Sequence, residues 1–294
     1  MLDTGLRDKV VLITGANSPY GIGAATAAAF AAQGAAVFIT YLGLSSASGA
    51  TAPADVPTAP GEAFYRATQQ MTADSVIQSI RATGARIAGV EADLADPRAI
   101  PWLFEQAKST FGSVSVLINN AAHCVQDTFI PPSQLGPDDH AADGFPMLPF
   151  SVETHDQHFA VNSRAVALMI AEFARRHVAR NATNGRIINV STDGAPGFAT
   201  EVSYGASKYA MESYSRAAAQ ELGRFGITVN VVSLGPTQTG WITPEMEQDI
   251  VRNTPLRRVG QPQDIADTIV LLASEQARWL TGQIVYVGGG WRMV

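Results

Sequence analysis

Short apolar, β-branched runs recur along the chain at Val10–Thr14, Ala36–Tyr41, 86–90, Val114–Asn119, 186–190, 227–232 and 283–287. Each is continuous rather than alternating, the pattern of a strand buried on both faces. Between them, helical spacing runs over 22–33, 73–83, 100–111, 155–180, 204–225 and 263–273, with Gly34 and Gly84 as stop signals after the first two. Each parallel crossover needs a helix-length connection, so this alternation predicts an α/β fold: a doubly wound, seven-stranded parallel sheet with helices on both faces. No internal repeat or composition shift marks a second unit, and a single domain over residues 1–294 is expected.

Two segments break the rhythm. Residues 43–61 are rich in small residues and proline and predict a long mobile loop. Residues 123–152 carry more Pro, Asp and aromatics, and are expected to cover the mouth of an active site.

Composition narrows the function. The 294 residues are 46% hydrophobic and 16% charged, which excludes disorder. A net charge of −6 and a pI near 5.3 argue against nucleic acid as a partner. One cysteine, Cys124, forms no internal disulfide and no thiolate zinc site, which fits a reducing compartment. The opening residues mix charges and lack a secretory layout, and the apolar stretch 21–44 is alanine-rich and broken by Gln33 and Gly34. A cytoplasmic protein that does not enter the membrane is the expectation.

Candidate chemistry gathers at strand ends. The first strand ends in Thr14-Gly15 and the first helix opens with Gly21-Ile22-Gly23. A glycine turn feeding a helix N-terminus suits a pyrophosphate, because backbone N–H groups point at the anion and missing side chains let it approach. Tyr204 and Lys208 lie four residues apart on one helix face, and about 0.07 such pairs are expected by chance. Only three of the 20 basic residues are lysine, so a cation placed merely for charge would more often be arginine. An ammonium beside a phenol favours its ionised form and makes it a workable proton donor and acceptor. Upstream, Ser191 and Thr192 end the fifth strand, where either hydroxyl can hold a carbonyl oxygen.

Taken in order, Thr14-Gly15 with Gly21-Ile22-Gly23, Asp93-Leu94, Asn119-Asn120-Ala121-Ala122, Asn162, Ser191, Tyr204-x-x-x-Lys208, Asn230 and Gly235-Pro236-Thr237-Gln238-Thr239 resemble the short-chain dehydrogenase/reductases over nearly the whole chain. The tail, with its Pro255-Leu-Arg-Arg-Val-Gly run, Leu280-Thr-Gly-Gln and Gly288-Gly-Gly, is similar to the 3-oxoacyl-[acyl-carrier-protein] reductase branch. The resemblance implies a Rossmann fold that binds NAD(P), in an oxidoreductase moving a hydride between nicotinamide and a ketone or secondary alcohol. The substrate would be a small-molecule or acyl-thioester carbonyl compound. By that resemblance Tyr204 is the general acid of reduction and the base of oxidation. Lys208 would lower its pKa and bind the nicotinamide ribose, Ser191 or Thr192 would hold the reacting oxygen, and Asn162 would hold a relay water. Cofactor contacts are expected at Gly15, Asn17, Gly21, Ile22, Gly23, Tyr41, Asp93, Leu94, Asn120, Ala121, Tyr204, Lys208, Gly235, Thr237 and Thr239. A homotetramer packed through helices 155–180 and 204–225 is also implied.

Tyr41 stands where an acid would bind the 2′-hydroxyl of NAD, so NADP(H) is expected over NAD(H), with Thr40, Ser45 and Ser46 as donors in place of a cation. Departures from the family pattern are visible. Five residues instead of three separate Gly15 from Gly21, and Asn-Asn-Ala-Ala stands where Asn-Asn-Ala-Gly is usual. Thirteen residues back from Tyr204 is Ser191, whereas counting along the strand from Arg186 reaches Thr192. His155, Asp156, His158, Asp138, Asp139 and His140 read as a surface around a helix start rather than a metal site. His123 and Cys124 are expected to line the pocket, and Trp241 and Met246 to belong to a mobile lid. The alternative to an enzyme is a catalytically idle member of the fold acting as a dinucleotide sensor or scaffold.

Overall fold

The computed structural model describes residues 3–43, 58–136, 139–141 and 143–291. Seven parallel strands form one sheet: β1 (Val10–Thr14), β2 (Ala36–Tyr41), β3 (Ile87–Glu91), β4 (Val114–Asn119), β7 (Gly185–Thr192), β8 (Ile227–Leu234) and β9 (Ile284–Val287). Their order across the sheet is β3-β2-β1-β4-β7-β8-β9. The chain winds outward from β1 in one direction and from β4 in the other, so the crevice for a ligand lies beyond the carboxyl ends of these two strands.

The helices are α1 (Ile22–Ala32), α2 (Glu62–Gln69), α3 (Asp74–Arg81), α4 (Ala99–Phe111), α5 (Val152–Phe159), α6 (Val166–Ala179), α7 (Val202–Leu222), α8 (Pro244–Asn253) and α9 (Pro262–Ala273). Side-chain alternation along the strands divides the core in two. Val11, Ile13, Val37 and Ile39 meet Ala27 and Phe30 of α1, Val76 and Ile80 of α3, and Ile265 and Ile269 of α9. Leu12, Phe38, Leu117 and Ile187 meet Leu103 and Phe104 of α4, Met169 and Phe173 of α6, and Met211 of α7. Phe30 is 0% exposed, and cutting such a ring to Ala costs about 3–5 kcal/mol.

The observed strands match the predicted ones, with α3, α4, α7 and α9 where the helical spacing puts them. Three differences matter for function. First, α2 lies just beyond the expected 43–61 loop, of which residues 44–57 fall outside the described residues, Ser45 and Ser46 among them. Second, the 123–152 segment forms a small parallel pair, β5 (Asp127–Thr128) with β6 (Leu148–Pro149). Third, the expected 155–180 helix starts at a Ser151–Thr154 capping box and is interrupted by a π-helical turn over Ala160–Ala165. Among the described residues no helix is long and apolar enough to cross a membrane.

Candidate active site

The cleft is built first from backbone. Gly15 has φ +72°, and a Cβ there would lie 2.7 Å from the Cα of Ala121, so only glycine lets the end of β1 approach the end of β4. Thr14 Oγ1 accepts from the backbone N–H groups of Asn120 and Ala121, both at 3.0 Å, while Asn120 Nδ2 donates to the carbonyls of Thr14 and Gly15. A Cβ on Gly23 would lie 2.2 Å from the Gly15 carbonyl oxygen. These contacts seat the start of α1 closely on the end of β1, and the helix N-terminus, whose N-cap Gly21 has no side-chain cap, fits a dinucleotide pyrophosphate. Ile22 is the first helical residue of α1.

The two extra residues of the glycine turn have a use. Asn17 is buried and donates through Nδ2 to the carbonyls of Gln69 and Met71, so its amide nitrogen holds the end of α2. Tyr20 meets Phe64 edge-on at 5.0 Å, and Gly61 N–H donates to Gly240 O at 2.8 Å. Tyr65 packs edge-on against Phe145, and the Arg66 guanidinium lies over the same ring. Helix α2 thus touches the β1–α1 turn, the segment after β8 and the 123–152 segment. Its buried face is only Phe64, Ala67 and Thr68, a signal too short to find beside the tract that precedes it.

At the adenosine edge, burial and then the charges of Glu91 and Asp74 raise the pKa of Tyr41, against a hydrogen bond from the Ala73 backbone. Thr40 is buried inside the sheet rather than turned to a phosphate. Asp93 is exposed, accepting from Ala95 N–H, and Leu94 is buried beneath it. On the far side, a Cβ on Gly235 would lie 2.6 Å from Gly288, Thr237 Oγ1 donates to Gly235 O, and Thr239 N–H donates to Thr237 O. Trp241 and Met246 pack with Ile242, Ile250 and Val259 in a small core of their own beneath α8.

The chemical end is carried by α7. Its first turn is held by the buried carboxylate of Asp127, which accepts the backbone N–H and the hydroxyl of Ser203, a charge that suits a helix N-terminus. Just before it, Thr200 has φ +66°, a conformation costing about 1–3 kcal/mol in a β-branched residue, and it sets the direction of Glu201. Lys208 is 3% exposed, donates to Val190 O at 2.8 Å, and lies 5.7 Å from the centre of the Tyr204 ring. Burial pulls its pKa from 10.5 down to about 8, against the charges of Cys124 and Glu212. The expectation that this ammonium holds the phenol low is corrected here. Burial first, and then the charges of Cys124, Glu201, Tyr65 and Asp193, push Tyr204 well above its ordinary value.

Asn162 lies in the π-helical turn, a feature frequent at functional sites. Its Oδ1 accepts from His123 N–H, and its Nδ2 donates to His123 O and Ser207 Oγ, while Ser207 donates to Tyr204 O. The side chain is fully committed to joining the strand end to the Tyr204 helix, so a relay water would be held by other atoms.

Strand alternation separates the two candidate hydroxyls. Asn189 and Ser191 face α7, where Asn189 donates to Ser215 Oγ and Ser191 Oγ donates to Glu212 at 2.6 Å in a site 2% exposed. Thr192, on the other side of the strand and half-buried, accepts from Gly194 N–H and keeps its own hydrogen for another acceptor.

Sequence reasoning missed the wall beside Tyr204. Cys124 donates its thiol hydrogen to Glu201 at 3.3 Å, and Asp143 accepts from Gln126 at 2.6 Å. Burial and then the charge of Asp143 raise Glu201 to about 7. Glu201 was legible only as an acid at a helix start. His158 is buried, with Nε2 accepting from Val125 N–H and Nδ1 on Thr154 O, whereas His155 stacks on Phe159 at 4.4 Å. Of the surface group around them, Asp138 lies outside the described residues.

Residues 61–292 match the family model described as Enoyl-(Acyl carrier protein) reductase. The uncharacterized oxidoreductase YjdA of Bacillus subtilis is 34% identical over 285 residues, covering 97% of each chain. The NADPH-dependent aldehyde reductase 2, chloroplastic, of Arabidopsis thaliana is 31% identical over 97% of this chain and 94% of that one. A solved structure of a blue fluorescent protein from a metagenomic library, in complex with NADPH, is 29% identical with a TM-score of 0.72, covering 98% of this chain and 99% of that one.

Proposed function

The chain belongs to the short-chain dehydrogenase/reductase family, and on that premise we propose that this oxidoreductase uses NADP(H) to interconvert a carbonyl compound and its alcohol, with 3-oxoacyl thioesters as the first substrate class. What carries the reading is Lys208 held 5.7 Å from the Tyr204 ring by its bond to the Val190 carbonyl of β7, the strand whose carboxyl end bears Thr192, together with the glycine turn where β1 closes on β4. The acyl-carrier-protein name of the matching family model and the tail motifs support the thioester class. The NADPH in the similar solved structure supports the cofactor. Against a 2′-phosphate stand the carboxylates of Glu91 and Asp74 near Tyr41, so the cofactor choice is the first thing to measure.

The bound nicotinamide would supply or take the hydride. The protein's share is to place the carbonyl and manage its proton. Thr192 donates a hydrogen bond to the carbonyl oxygen, and Tyr204 delivers the proton that turns that oxygen into a hydroxyl. Tyr204, held by burial above its ordinary value, carries its proton at neutral pH, as the donor in a reduction must. The Lys208 ammonium, largely protonated below about pH 8, stabilises the phenolate left behind and can bind the nicotinamide ribose. Gly15, Gly21, Ile22, Gly23, Asn120 and Ala121 would take the dinucleotide backbone, Asp93 and Leu94 the adenine side, and Gly235, Thr237 and Thr239 the carboxamide side.

The same reading makes the chain one dinucleotide-binding domain in a cytoplasmic homotetramer, joined through α5, α6 and α7. Half-exposed Tyr209 and Tyr214 on α7, with Leu168 and Val178 on α6, offer apolar surface for that contact. Sedimentation giving a monomer would remove it. The function itself is tested by titrating the protein with NADPH and NADH through nicotinamide fluorescence, then following NADPH oxidation with 3-oxoacyl thioesters, ketones and aldehydes. Tighter NADPH binding with turnover supports the reading. Tight binding with no turnover of any carbonyl favours the idle sensor or scaffold.

A further inference from the structure

Glu201 sits at the N-cap of α7, three residues before Tyr204, and is only 5% exposed. A carboxylate offers about four lone-pair sites, and leaving a buried one unmet is costly. Among the described residues the one group that hydrogen-bonds the Glu201 carboxyl is the thiol of Cys124, a weak donor. The neighbouring acids are better served. Asp127 takes the N–H and hydroxyl of Ser203, and Asp143 takes the Gln126 amide and the Phe145 N–H.

Among the described residues that weak thiol is the carboxyl's one side-chain donor, and it stands on an exposed cysteine. Glu201 lies three residues before Tyr204 at the start of the same helix, and its charge, when ionised, raises the Tyr204 phenol, after burial. Around Glu201, α2, which follows the 43–61 segment, brings Tyr65, and the 123–152 segment brings Cys124 and Asp143. We propose that Glu201 is a specificity-determining residue, accepting a hydrogen bond from a hydroxyl or amine that the carbonyl substrate carries close to its reacting carbon. The inference rests on the carbonyl-reduction reading with Tyr204 as proton donor, and within that reading it moves the preferred substrate from plain 3-oxoacyl thioesters to α-hydroxy or α-amino ketones and aldehydes, which bring the carboxyl a stronger donor than the Cys124 thiol. Sites built around such a hydrogen bond reject analogues lacking it strongly, because the buried group is then left unpaired.

The titratable groups facing Glu201 are Cys124, Asp143, Asp127 and Tyr204, with Tyr65 across the cleft. Burial and Asp143 hold Glu201 near 7, so its stronger, ionised acceptor form grows in across neutral pH.

The test compares kcat/KM for hydroxyacetone and 2-butanone, near-isosteric ketones, with NADPH as the reductant. The expected preference for hydroxyacetone is about tenfold or more and rises as pH passes through about 7, and Glu201→Gln collapses the ratio toward one and flattens its pH dependence. A wild-type ratio near one, or a ratio that Glu201→Gln leaves in place, overturns the proposal. Should Glu201→Gln not fold, the pH dependence of the wild-type ratio decides alone. Should no carbonyl be turned over, the carbonyl-reduction reading fails separately, and alkylation of Cys124 by iodoacetamide then decides for Glu201. Protection by propane-1,2-diol but not by butan-2-ol supports the proposal, and equal protection overturns it.

Discussion

Replacing Lys208 with methionine should make the protein more stable at neutral pH while removing its activity. Lys208 is 3% exposed, and burial lowers its pKa from 10.5 to about 8. At about 1.4 kcal/mol per pH unit, holding the ammonium in the fold costs roughly 3 kcal/mol below pH 8. Methionine fills similar volume without a charge but forfeits the 2.8 Å hydrogen bond to Val190 O, a loss of about 1–2 kcal/mol. The net expectation is a gain of roughly 1–2 kcal/mol at about pH 7.

The sign reverses with pH. The folded pKa lies below the unfolded one, so between about pH 8 and 10.5 the unfolded chain holds a proton the folded chain has lost, and wild-type stability rises through that window. Lys208→Met lacks this rise, and near pH 10 the order of the two proteins should invert. Urea unfolding of both proteins without cofactor, at neutral pH and near pH 10, measures the difference directly. A variant less stable than wild type at pH 7, with a gap that does not change with pH, would show that the ammonium is not held at a cost and would refute the reasoning.

Tyr204→Phe should leave the fold and dinucleotide binding intact while lowering kcat by about 10²–10⁴-fold, and near-normal turnover would sink the proton-donor assignment. Thr192→Val should lower kcat without altering unfolding, whereas Ser191→Ala should destabilise by about 1–3 kcal/mol because it strips the buried Glu212 carboxyl of its hydrogen bond; the opposite pattern in paired denaturation and rate measurements would return the reactive hydroxyl to Ser191. Gly23→Ala places a carbon 2.2 Å from the Gly15 carbonyl oxygen, so fluorescence titration should find dinucleotide binding lost or severely weakened, and unchanged affinity would displace the pyrophosphate from this turn.

The sheet was legible because its strands are buried on both faces and read as unbroken apolar runs, so β1, β2 and β4 have the predicted bounds. Helix α2 was not, since only Phe64, Ala67 and Thr68 mark its buried face. The π-helical turn at Asn162 escapes a pattern reading because one extra residue per turn barely disturbs a run of helical spacing. The choice between Ser191 and Thr192 depends on the length of the turn between β7 and α7, which spacing to Tyr204 cannot resolve. Strand alternation separates the two by sending Asn189 and Ser191 together to α7, and that separation is what the proposal for Thr192 rests on. The pair Tyr204 and Lys208 was legible as a pair, but its electrostatics were not. Burial and the groups that raise the phenol, Cys124, Glu201 and Tyr65, come from segments far apart in sequence, so no local pattern carries their effect.

That separation bears on how such a chain tunes one chemistry to a particular substrate. The glycine turn, the strand ends and the Tyr204 helix belong to the alternating frame, and each is held by backbone contacts that tolerate little change. Around Glu201 at the start of α7, the rest of the wall comes from α2, with Tyr65, and from the 123–152 segment, with Cys124 and Asp143, which add to the frame without interrupting its hydrogen-bond ladder. A change at Tyr65, Cys124 or Asp143 alters the field at Tyr204 and Glu201 while leaving the sheet register untouched. The carboxyl of Glu201, raised to about 7, favours folding at low pH and loses that contribution as pH rises from about 4.5 through 7, a cost of roughly 3 kcal/mol at neutral pH. The buried ammonium of Lys208 carries a similar cost. Two buried ionisable groups held against stability within one turn of the same tyrosine are better explained by chemistry at that tyrosine than by packing.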